Sequence, residues 1–458
     1  MTDSWSSSDL HLDWQPDTGR RGLADALRRA IRAGRLPPGT AVPSTRALAK
    51  DLGVARGTVT RVYADLTAEG YLHTSQGAPT KVAETGAPPL AAPKERSSPR
   101  SAPWVPDAQW DLYPGRPDLS AFPRTAWVSA MRRVLQQAPA TTFDYGDPRG
   151  PAALREALAR YLSRSRGVLA DPDQILISAG FHHAITALGR AFRDRELAFE
   201  DPSLPEFRSA AARDGARIVG VPVDEHGLRV SELDSPAVVV TPAHQFPLGA
   251  TLAPERRAAL VRWATKTGGL VIEDDYDGEF RYDRQQIGAL QALAPERVCY
   301  AGTVSKTLAP ALRIGWLVLP RAQVEPVQAA LAETGWRPPV LDLLALAELL
   351  NSGAYDRHVR QRRAAYRSRR DRLLAALPPG FSPVGISAGL HLVLRLPGFS
   401  EKTATTALLR QSVAVDRLSR YWMSGGEHEP GLVIGYATPA EHAFGPAVAA
   451  MVSVLRGL

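Results

Sequence analysis

One lysine, Lys306, stands among small and hydroxyl residues in the run Ala301–Trp316, and Arg313 follows it seven positions later. A lysine amine whose pKa is lowered can form a Schiff base with an aldehyde. The hydroxyls of Thr303 and Ser305 and the Arg313 guanidinium can hold a phosphate. Pyridoxal 5'-phosphate (PLP) needs this combination. Most lysines between strands are solvated, so the hypothesis depends on what other segments supply.

Two more segments end in residues that suit the same cofactor. One apolar, strand-like run leads into Gly180 and Phe181, where a helix is predicted to begin, so backbone N–H groups are available to a phosphate. A second run, Val238–Val240, leads to His244 and Gln245, which can donate hydrogen bonds to a phenolic oxygen.

A further apolar run leads into the acidic stretch Glu273–Asp277. The carboxylate of Asp274 can keep a pyridine nitrogen protonated, and Tyr276 can bond the O3′ of the same ring. Taken singly, strand-end acids are usually caps or solvated turns, and histidines such as His182 and His183 usually pack structurally. Several strand ends that converge on one ligand favour a PLP site.

Strand and helix patterns alternate over residues 109–458, with a smaller part from about residue 345. Continuous apolar strands between helices predict an α/β fold with a mostly parallel sheet, and ligands bind at the strand ends of such sheets. The strand candidates are Ile175–Ile177, Leu197–Phe199, Ile218–Val223, Val238–Val240, Leu270–Ile272, Val298–Tyr300 and Ile314–Leu319.

Residues 14–83 are predicted to form a separate, mostly helical module. Two short helices across a glycine-containing turn make a helix-turn-helix, and the segment after them suits a β wing. The predicted spans are a first helix ending near Gly34, a second over about Thr45–Leu52 capped by Ser44, a third over about Arg56–Glu69, and a wing in Gly70–Ala83.

Positive charge is concentrated in this module. Between Arg20 and Lys81, eleven lysines and arginines stand against four acidic residues, a net +7 out of +8 for the whole chain. Such a patch is typical of proteins that bind double-stranded DNA, and a solvated helical bundle is the alternative. Arg56 and Thr58 are predicted to touch base edges. The predicted DNA-backbone contacts are Arg46, Lys50, Arg61, His73 and Lys81.

Length and composition limit the class of protein. A chain of 458 residues that is 44% hydrophobic suggests two or three globular domains. Its one cysteine, Cys299, is predicted to be buried in a strand, which excludes an intramolecular disulfide and a cysteine-based zinc cluster, and no metal site is expected. Because no apolar stretch suits a membrane span or a signal peptide, we expect a cytoplasmic protein without membrane contact.

Two further segments are distinctive. Residues 84–108 carry six prolines and no helical or strand period, which indicates an exposed tether between domains; recognition in a polyproline conformation is the alternative. The basic run Arg357–Arg372 suits either an additional DNA-contacting surface or a solvated helix that joins two parts of the fold.

Two resemblances carry more specific expectations. Gly34–Leu72 resembles the winged helix of the GntR superfamily, although Ala55 replaces the usual serine cap, at a typical cost of ~1 kcal/mol. The motifs Tyr145–Gly150, Glu273–Phe280 and Gly302–Lys306 resemble the fold-type I aminotransferases. With the winged helix in front, the chain as a whole is similar to the MocR/GabR-type transcription regulators.

The resemblance implies a homodimer that binds promoter DNA and PLP and senses a small ligand, with cofactor sites at the subunit interface. It makes Lys306 the internal-aldimine lysine, Asp274 the pyridine-nitrogen partner and Tyr276 the O3′ partner. The phosphate-holding residues that it implies are Thr303, Ser305 and Arg313.

Two positions depart from the aminotransferase pattern. Leu204 replaces the aromatic residue that stacks on the cofactor ring, so either cofactor affinity is lower or Phe207 substitutes for it. Leu432 lies at or near the place of the arginine that binds the substrate carboxylate. These departures argue against transamination.

The leading hypothesis is a PLP-dependent regulator that senses PLP or a small amine and controls vitamin B6 metabolism. An active aminotransferase with a DNA-binding head, or a regulator that has lost the cofactor, is the alternative.

Overall fold

The computed structural model describes residues 12, 14–75, 77–84, 108–282, 287–396 and 398–458. The chain divides into two compact units, Met1–Ala102 and Pro103–Leu458. Apart from its two end residues, the predicted tether 84–108 lies outside the described residues.

After one turn of 3-10 helix, Pro16–Thr18, the described residues of the first unit form three α-helices and a short hairpin. They are α1 (Gly19–Arg32), α2 (Thr45–Asp51), α3 (Arg56–Ala68), β1 (Leu72–His73) and β2 (Lys81–Val82).

The helices and strands of the second unit alternate along the chain. Its helices are α4 (Arg124–Gln137), α5 (Ala152–Arg166), α6 (Phe181–Ala191), α7 (Pro205–Arg213), α8 (Pro254–Thr267), α9 (Arg321–Glu333), α10 (Val340–Asn351), α11 (Ala354–Ala376), α12 (Glu401–Arg410) and α13 (Glu441–Arg456). Its strands are β3 (Trp110–Asp111), β4 (Ile175–Ser178), β5 (Glu196–Asp201), β6 (Arg217–Asp224), β7 (Gly227–Leu228), β8 (Ala237–Val240), β9 (Leu270–Asp274), β10 (Val298–Thr303), β11 (Gly315–Val318), β12 (Pro383–Val384), β13 (His391–Arg395), β14 (Val413–Ala414), β15 (Asp416–Arg417) and β16 (Gly431–Gly435).

The predicted winged helix-turn-helix is confirmed as a fold. The apolar residues at helical spacing, among them Leu27, Leu48 and Val62, are fully buried in one core. Ser44 caps α2 as predicted, because its hydroxyl accepts the Ala47 N–H at 3.2 Å. Ala55 precedes α3 without a side-chain cap. The strands β1 and β2 pair antiparallel and form the wing.

The second unit is built on an eight-stranded sheet in the order β4-β11-β10-β9-β8-β5-β6-β7. The strands from β10 to β6 are parallel, β11 is antiparallel to both of its neighbours, and β7 closes one edge as a hairpin. All seven predicted strands lie in this sheet, so the predicted mostly parallel α/β fold is confirmed.

Both faces of the sheet are covered by helices. Along β4, Ile175 and Ile177 pack in a core with α5 and α10, whereas Leu176 packs in a core with α6, α7 and α9. Cys299 in β10 is fully buried in the second of these cores, as predicted. This burial on both faces explains why the strands are continuous apolar runs.

A smaller sheet follows the long helix α11. Its order is β12-β13-β16-β15, and α12 and α13 pack with it. The predicted start of the smaller part, about residue 345, falls within α10, and this helix packs in the core of the large sheet through Leu343 and Leu346.

Candidate functional site

A cavity of about 610 Å³ lies at the carboxyl ends of β5, β8, β9 and β10. Connections between parallel strands leave these ends free for a ligand. The predicted cofactor residues in the cavity wall are Gly180, Phe181, Asp274, Tyr276, Thr303, Ser305, Lys306 and Arg313. The packing of distant segments therefore brings these eight residues together around one space.

In the acidic stretch that ends β9, two side chains bond other protein groups and one lines the cavity. Glu273 accepts the backbone N–H groups of Leu290 and Gln291 at 2.8 and 2.9 Å. Asp275 pairs with Arg166 at 2.6 Å. Asp274 alternates with these two residues along the strand and lines the cavity instead.

Asp274 has the environment expected of a partner for a ring nitrogen. Its Oδ1 is buried and has no hydrogen-bond partner among the described residues. Burial raises the pKa of Asp274 well above its usual value, and the charge of Lys306 opposes that rise. Because an unsatisfied buried acceptor is costly, a protonated pyridine nitrogen at this place would supply the missing donor.

His244 and Gln245 differ from their predicted positions. His244 does not line the cavity; its Nδ1 lies 2.8 Å from Asp277 Oδ2 and 3.0 Å from the Tyr276 hydroxyl. Gln245 is used to hold its own loop, because its amide donates to the carbonyls of Pro202 and Phe246. Neither His244 nor Gln245 lines the cavity, because the turn after β8 directs them to Asp277, Tyr276 and the loop itself.

The pair His244 and Asp277 nevertheless positions Tyr276. His244 Nδ1 and the Asp277 carboxylate lie within hydrogen-bond distance of each other, and both side chains are buried. The Tyr276 hydroxyl lies 3.0 Å from the same nitrogen, so the buried pair holds this hydroxyl at the cavity wall. This network was not visible in the sequence, where His244 and Tyr276 are 32 positions apart.

Lys306 extends into the cavity from the segment after β10. Its Nζ donates to the carbonyl of Gly115 at 2.6 Å. Burial lowers the pKa of the Lys306 amine, and the charges of Asp274 and Asp277 oppose that change. A lowered pKa increases the fraction of neutral amine, which is the form that attacks an aldehyde.

The opposite end of the cavity has the features of an anion site. Gly180 precedes α6 with φ +82°, and no side chain caps the first N–H groups of the helix. β11 passes so close that a Cβ on Gly315 would lie 2.8 Å from the Cα of Gly180. The strand contact therefore fixes the helix terminus at the cavity wall, where its N–H groups favour a phosphate.

Arg313 adds a cation at the same end. It has the left-handed φ of +53°, which is unfavourable for a residue with a side chain. No hydrogen bond or ion pair involves its guanidinium within the described part of the chain. The pKa values of His182 and His183 are lowered mainly by their own burial, and the charge of Arg313 contributes to this change. A strained arginine without a carboxylate partner suits a phosphate.

Thr303 and Ser305 stand beside Lys306. The Thr303 hydroxyl lies 2.9 Å from the Ser305 hydroxyl and 3.0 Å from the Ile314 carbonyl, and it accepts the Ser305 N–H at 3.1 Å. Thr303 therefore fixes the turn, which leaves the Ser305 hydroxyl as the more accessible phosphate donor of the two.

The two departures from the aminotransferase pattern have different surroundings. Leu204 lines the cavity, and so does Phe207, whose ring lies 4.8 Å from that of Phe181 in an edge contact. Leu432 is fully buried in the core of the smaller sheet and does not line the cavity.

The sequence interpretation missed Arg420, which does line the cavity. Its guanidinium donates to Asp416 and to the Tyr113 hydroxyl, each at 2.8 Å, and to Glu206. It lies in a short 3-10 helix, Leu418–Tyr421, which is too brief to show a periodic pattern, so only the tertiary structure brings it to the site. The cavity wall thus contains an arginine, Arg420, that the comparison of Leu432 with the aminotransferase pattern did not reveal.

The buried charge of Asp274 gives a pH-dependent prediction. A carboxyl group whose pKa is raised by folding contributes stability at low pH, and this contribution is lost as the pH rises through the folded value. Without PLP, Asp274→Asn should therefore gain stability relative to the wild type as the pH rises from about 4 towards 8. Thermal unfolding of the two proteins across this range measures the effect.

An exposed carboxylate, Asp234, provides the control. Asp234→Asn should show the same pH dependence as the wild type. If Asp274→Asn also does so, Asp274 is not an unsatisfied buried group. Asp274→Asn should also bind PLP more weakly than the wild type, because an amide does not hold a pyridine nitrogen in its protonated form.

The first unit carries a separate candidate surface. The side chains of Arg46, Lys50, Arg56, Arg61, His73 and Lys81 are exposed, and Thr58 is half-buried. Within the described residues, none of the arginines and lysines in this set forms an ion pair. Arg28, on α1, is by contrast paired with Asp25 and Glu69. The predicted DNA-contacting cations are thus available for phosphates.

Comparisons with known proteins agree with both units. Residues 20–82 match the family described as bacterial regulatory proteins, gntR family, and residues 114–426 match aminotransferase class I and II. The pyridoxine biosynthesis transcriptional regulator PdxR of Corynebacterium glutamicum is 34% identical, with 92% of each chain covered. The probable rhizopine catabolism regulatory protein MocR of Rhizobium meliloti is 32% identical, covering 93% of this chain and 92% of the relative.

A solved structure supports the fold of the second unit. The kynurenine aminotransferase of Pyrococcus horikoshii is 23% identical, with a TM-score of 0.69, and the match covers 77% of this chain and 91% of that one. A winged helix-turn-helix joined to an aminotransferase-type fold defines the class of aminotransferase-like transcription regulators. The chain belongs to the MocR-type regulators of the GntR superfamily.

Among the described residues, no helix combines the length and the apolar character that crossing a membrane requires.

Proposed function

We propose that this regulator binds promoter DNA through its first unit and PLP through its second, and that PLP changes its affinity for DNA. The observation that carries the proposal is the buried, unpartnered Oδ1 of Asp274 in the same cavity as Lys306. A ring nitrogen satisfies the first group and an aldehyde engages the second.

The residues of the chain would divide the work around the cofactor. When bound, PLP supplies an aldehyde that captures amines reversibly. Lys306 provides the attaching amine, Asp274 fixes the ring nitrogen, and Tyr276, held by His244, donates to O3′. At the other end, Arg313, Ser305 and the start of α6 at Gly180 and Phe181 hold the phosphate, with Thr303 fixing the turn beside it.

PLP itself is the proposed effector, and control of vitamin B6 supply the proposed role. The relative from Corynebacterium glutamicum is named for pyridoxine biosynthesis, which supports this assignment. A small amine that competes with Lys306 for the aldehyde is the alternative effector.

Transamination is the second candidate function, because Lys306, Asp274 and Tyr276 are all present in the cavity. Two observations weigh against it: Leu204 lines the cavity where a stacking aromatic is expected, and Arg420 is already paired with Asp416 and Glu206. Conversion of bound PLP to its amine form by an amino acid donor would favour the enzyme.

We also propose a homodimer that acts in the cytoplasm, where promoter DNA is found. Exposed apolar side chains support the dimer: Val128 and Leu135 lie seven residues apart on one face of α4, and Phe143 and Tyr145 are 60% and 84% exposed. Patches of this kind mark interfaces. Light scattering should give twice the mass of one chain, and a monomer at micromolar concentration would contradict the proposal.

The proposed function predicts that PLP changes DNA affinity. Fluorescence anisotropy with a labelled duplex from upstream of the protein's own gene should give dissociation constants that differ about fivefold or more between the PLP-free and PLP-loaded protein. A duplex of scrambled sequence is the control. Equal affinities with and without PLP would contradict a PLP-responsive regulator.

A further inference from the structure

The second unit contains another large depression, away from the cofactor cavity. This groove has a volume of about 1010 Å³ and lies between α5, the segment after β9 and the long helix α11. Among the described residues, seven arginines and three carboxylates line it, so the formal charge of these residues is strongly positive. None of the residues assigned to PLP lies in its wall.

Two of these arginines are exposed and unneutralised. Arg360 and Arg367 form no ion pair within the described residues, and their side chains are exposed. They lie seven positions apart on α11, two turns of one face, at a rise of roughly 10 Å. Along that distance a DNA duplex carries about six negative charges.

Other arginines of the groove are held by protein groups. Arg166 pairs with the buried Asp275 at 2.6 Å, and Arg164 pairs with Asp356 at 2.7 Å. Arg363, between the two exposed arginines, donates to the backbone carbonyl of Glu279 at 2.6 Å and so keeps its charge without a carboxylate. The groove thus contains two arginines, Arg164 and Arg166, that carboxylates hold in place, and a row of arginines on α11 without a carboxylate partner among the described residues.

We propose that this basic groove, defined by Arg360, Arg363 and Arg367 on α11, binds the phosphate backbone of the DNA that the winged helix recognises. The proposal rests on the proposed DNA-binding function. A double-stranded polyanion fits better than a small phosphate, because the groove is open and its free cations are spread along a helix face. Such contacts add affinity and salt dependence without reading sequence.

The test measures salt dependence with the full-length, PLP-loaded protein. A duplex from upstream of the protein's own gene is titrated by anisotropy at several KCl concentrations, for the wild type and for the double variant Arg360→Gln/Arg367→Gln. Because each phosphate contact contributes about 0.9 to the slope of log affinity against log salt, the variant should lower that slope by roughly 2. Its preference for the upstream duplex over a scrambled one should be unchanged.

The matched control is Arg262→Gln/Arg410→Gln, which removes two exposed arginines elsewhere in the same unit and should keep the wild-type slope. Arg360→Lys/Arg367→Lys, which preserves charge, should also keep it. If the double variant is unstable, Arg360→Gln alone should lower the slope by about 1.

The outcomes separate the two proposals. A wild-type slope in a folded Arg360→Gln/Arg367→Gln or Arg360→Gln variant would overturn the groove proposal alone. A wild type that shows no preference for the upstream duplex would overturn the proposed function. A second copy of this chain as occupant would appear as a loss of oligomer in the variant with an unchanged slope, and it would also overturn the groove proposal.

Discussion

Substitution of Lys306 by alanine is expected to abolish covalent attachment of PLP. The variant loses the amine that the Gly115 carbonyl holds at 2.6 Å within the cavity, and with it the group that can bond an aldehyde. The visible absorption band of attached cofactor should disappear completely. Retention of PLP should weaken about 10- to 150-fold, the effect of losing a charge-assisted contact.

The control for this prediction is Lys402→Ala, which removes an exposed lysine of α12. It should take up PLP and show the band of the wild type. Thermal unfolding without PLP should show that Lys306→Ala is folded, because the Lys306 side chain is only partly buried. A visible band of unchanged position and intensity in Lys306→Ala would exclude Lys306 as the attachment residue.

The second large effect is expected at Arg56, the first residue of α3. Its side chain is exposed, and it lies in the first turn of the helix predicted to enter the major groove. Because a bidentate contact with a base contributes about 1–3 kcal/mol, Arg56→Ala should weaken promoter binding about 5- to 150-fold and relax the sequence preference. Anisotropy at fixed salt with specific and scrambled duplexes measures both.

Arg21→Ala is the matched control, since it removes an equally exposed arginine from α1, outside the predicted contact surface. It should alter affinity less than Arg56→Ala and leave the sequence preference intact. If Arg56→Ala retains the affinity, the preference and the salt slope of the wild type, another residue of the module reads the DNA.

The sequence was sufficient where local patterns determine structure. Helical spacing of Val59, Val62 and Leu66 predicted the buried face of α3, because one helix face must cover a core. Apolar runs predicted the strands of the large sheet, since both of its faces are buried. Asp274 and Tyr276 could be placed at the cavity because side chains alternate along a strand that ends there.

Features that depend on long-range packing could not be predicted in this way. Gly115 and Lys306 are 191 positions apart, and the hydrogen bond between them requires the chain before α4 to pass the end of β10. Arg420 lies in a 3-10 helix of four residues, which is too short for a sequence period to identify it as a cavity residue. His244 was predicted at the ligand, but the turn after β8 places it behind Tyr276.

The proposed regulation requires that PLP, acting through Lys306, changes how the protein occupies DNA. Footprinting on the region upstream of its own gene, with and without PLP, tests this most directly when the wild type and Lys306→Ala are compared. We expect the protected region of the wild type to change in extent or strength with PLP, and that of Lys306→Ala to stay constant. A footprint that PLP leaves unchanged in the wild type, or that it changes equally in Lys306→Ala, would contradict the claim.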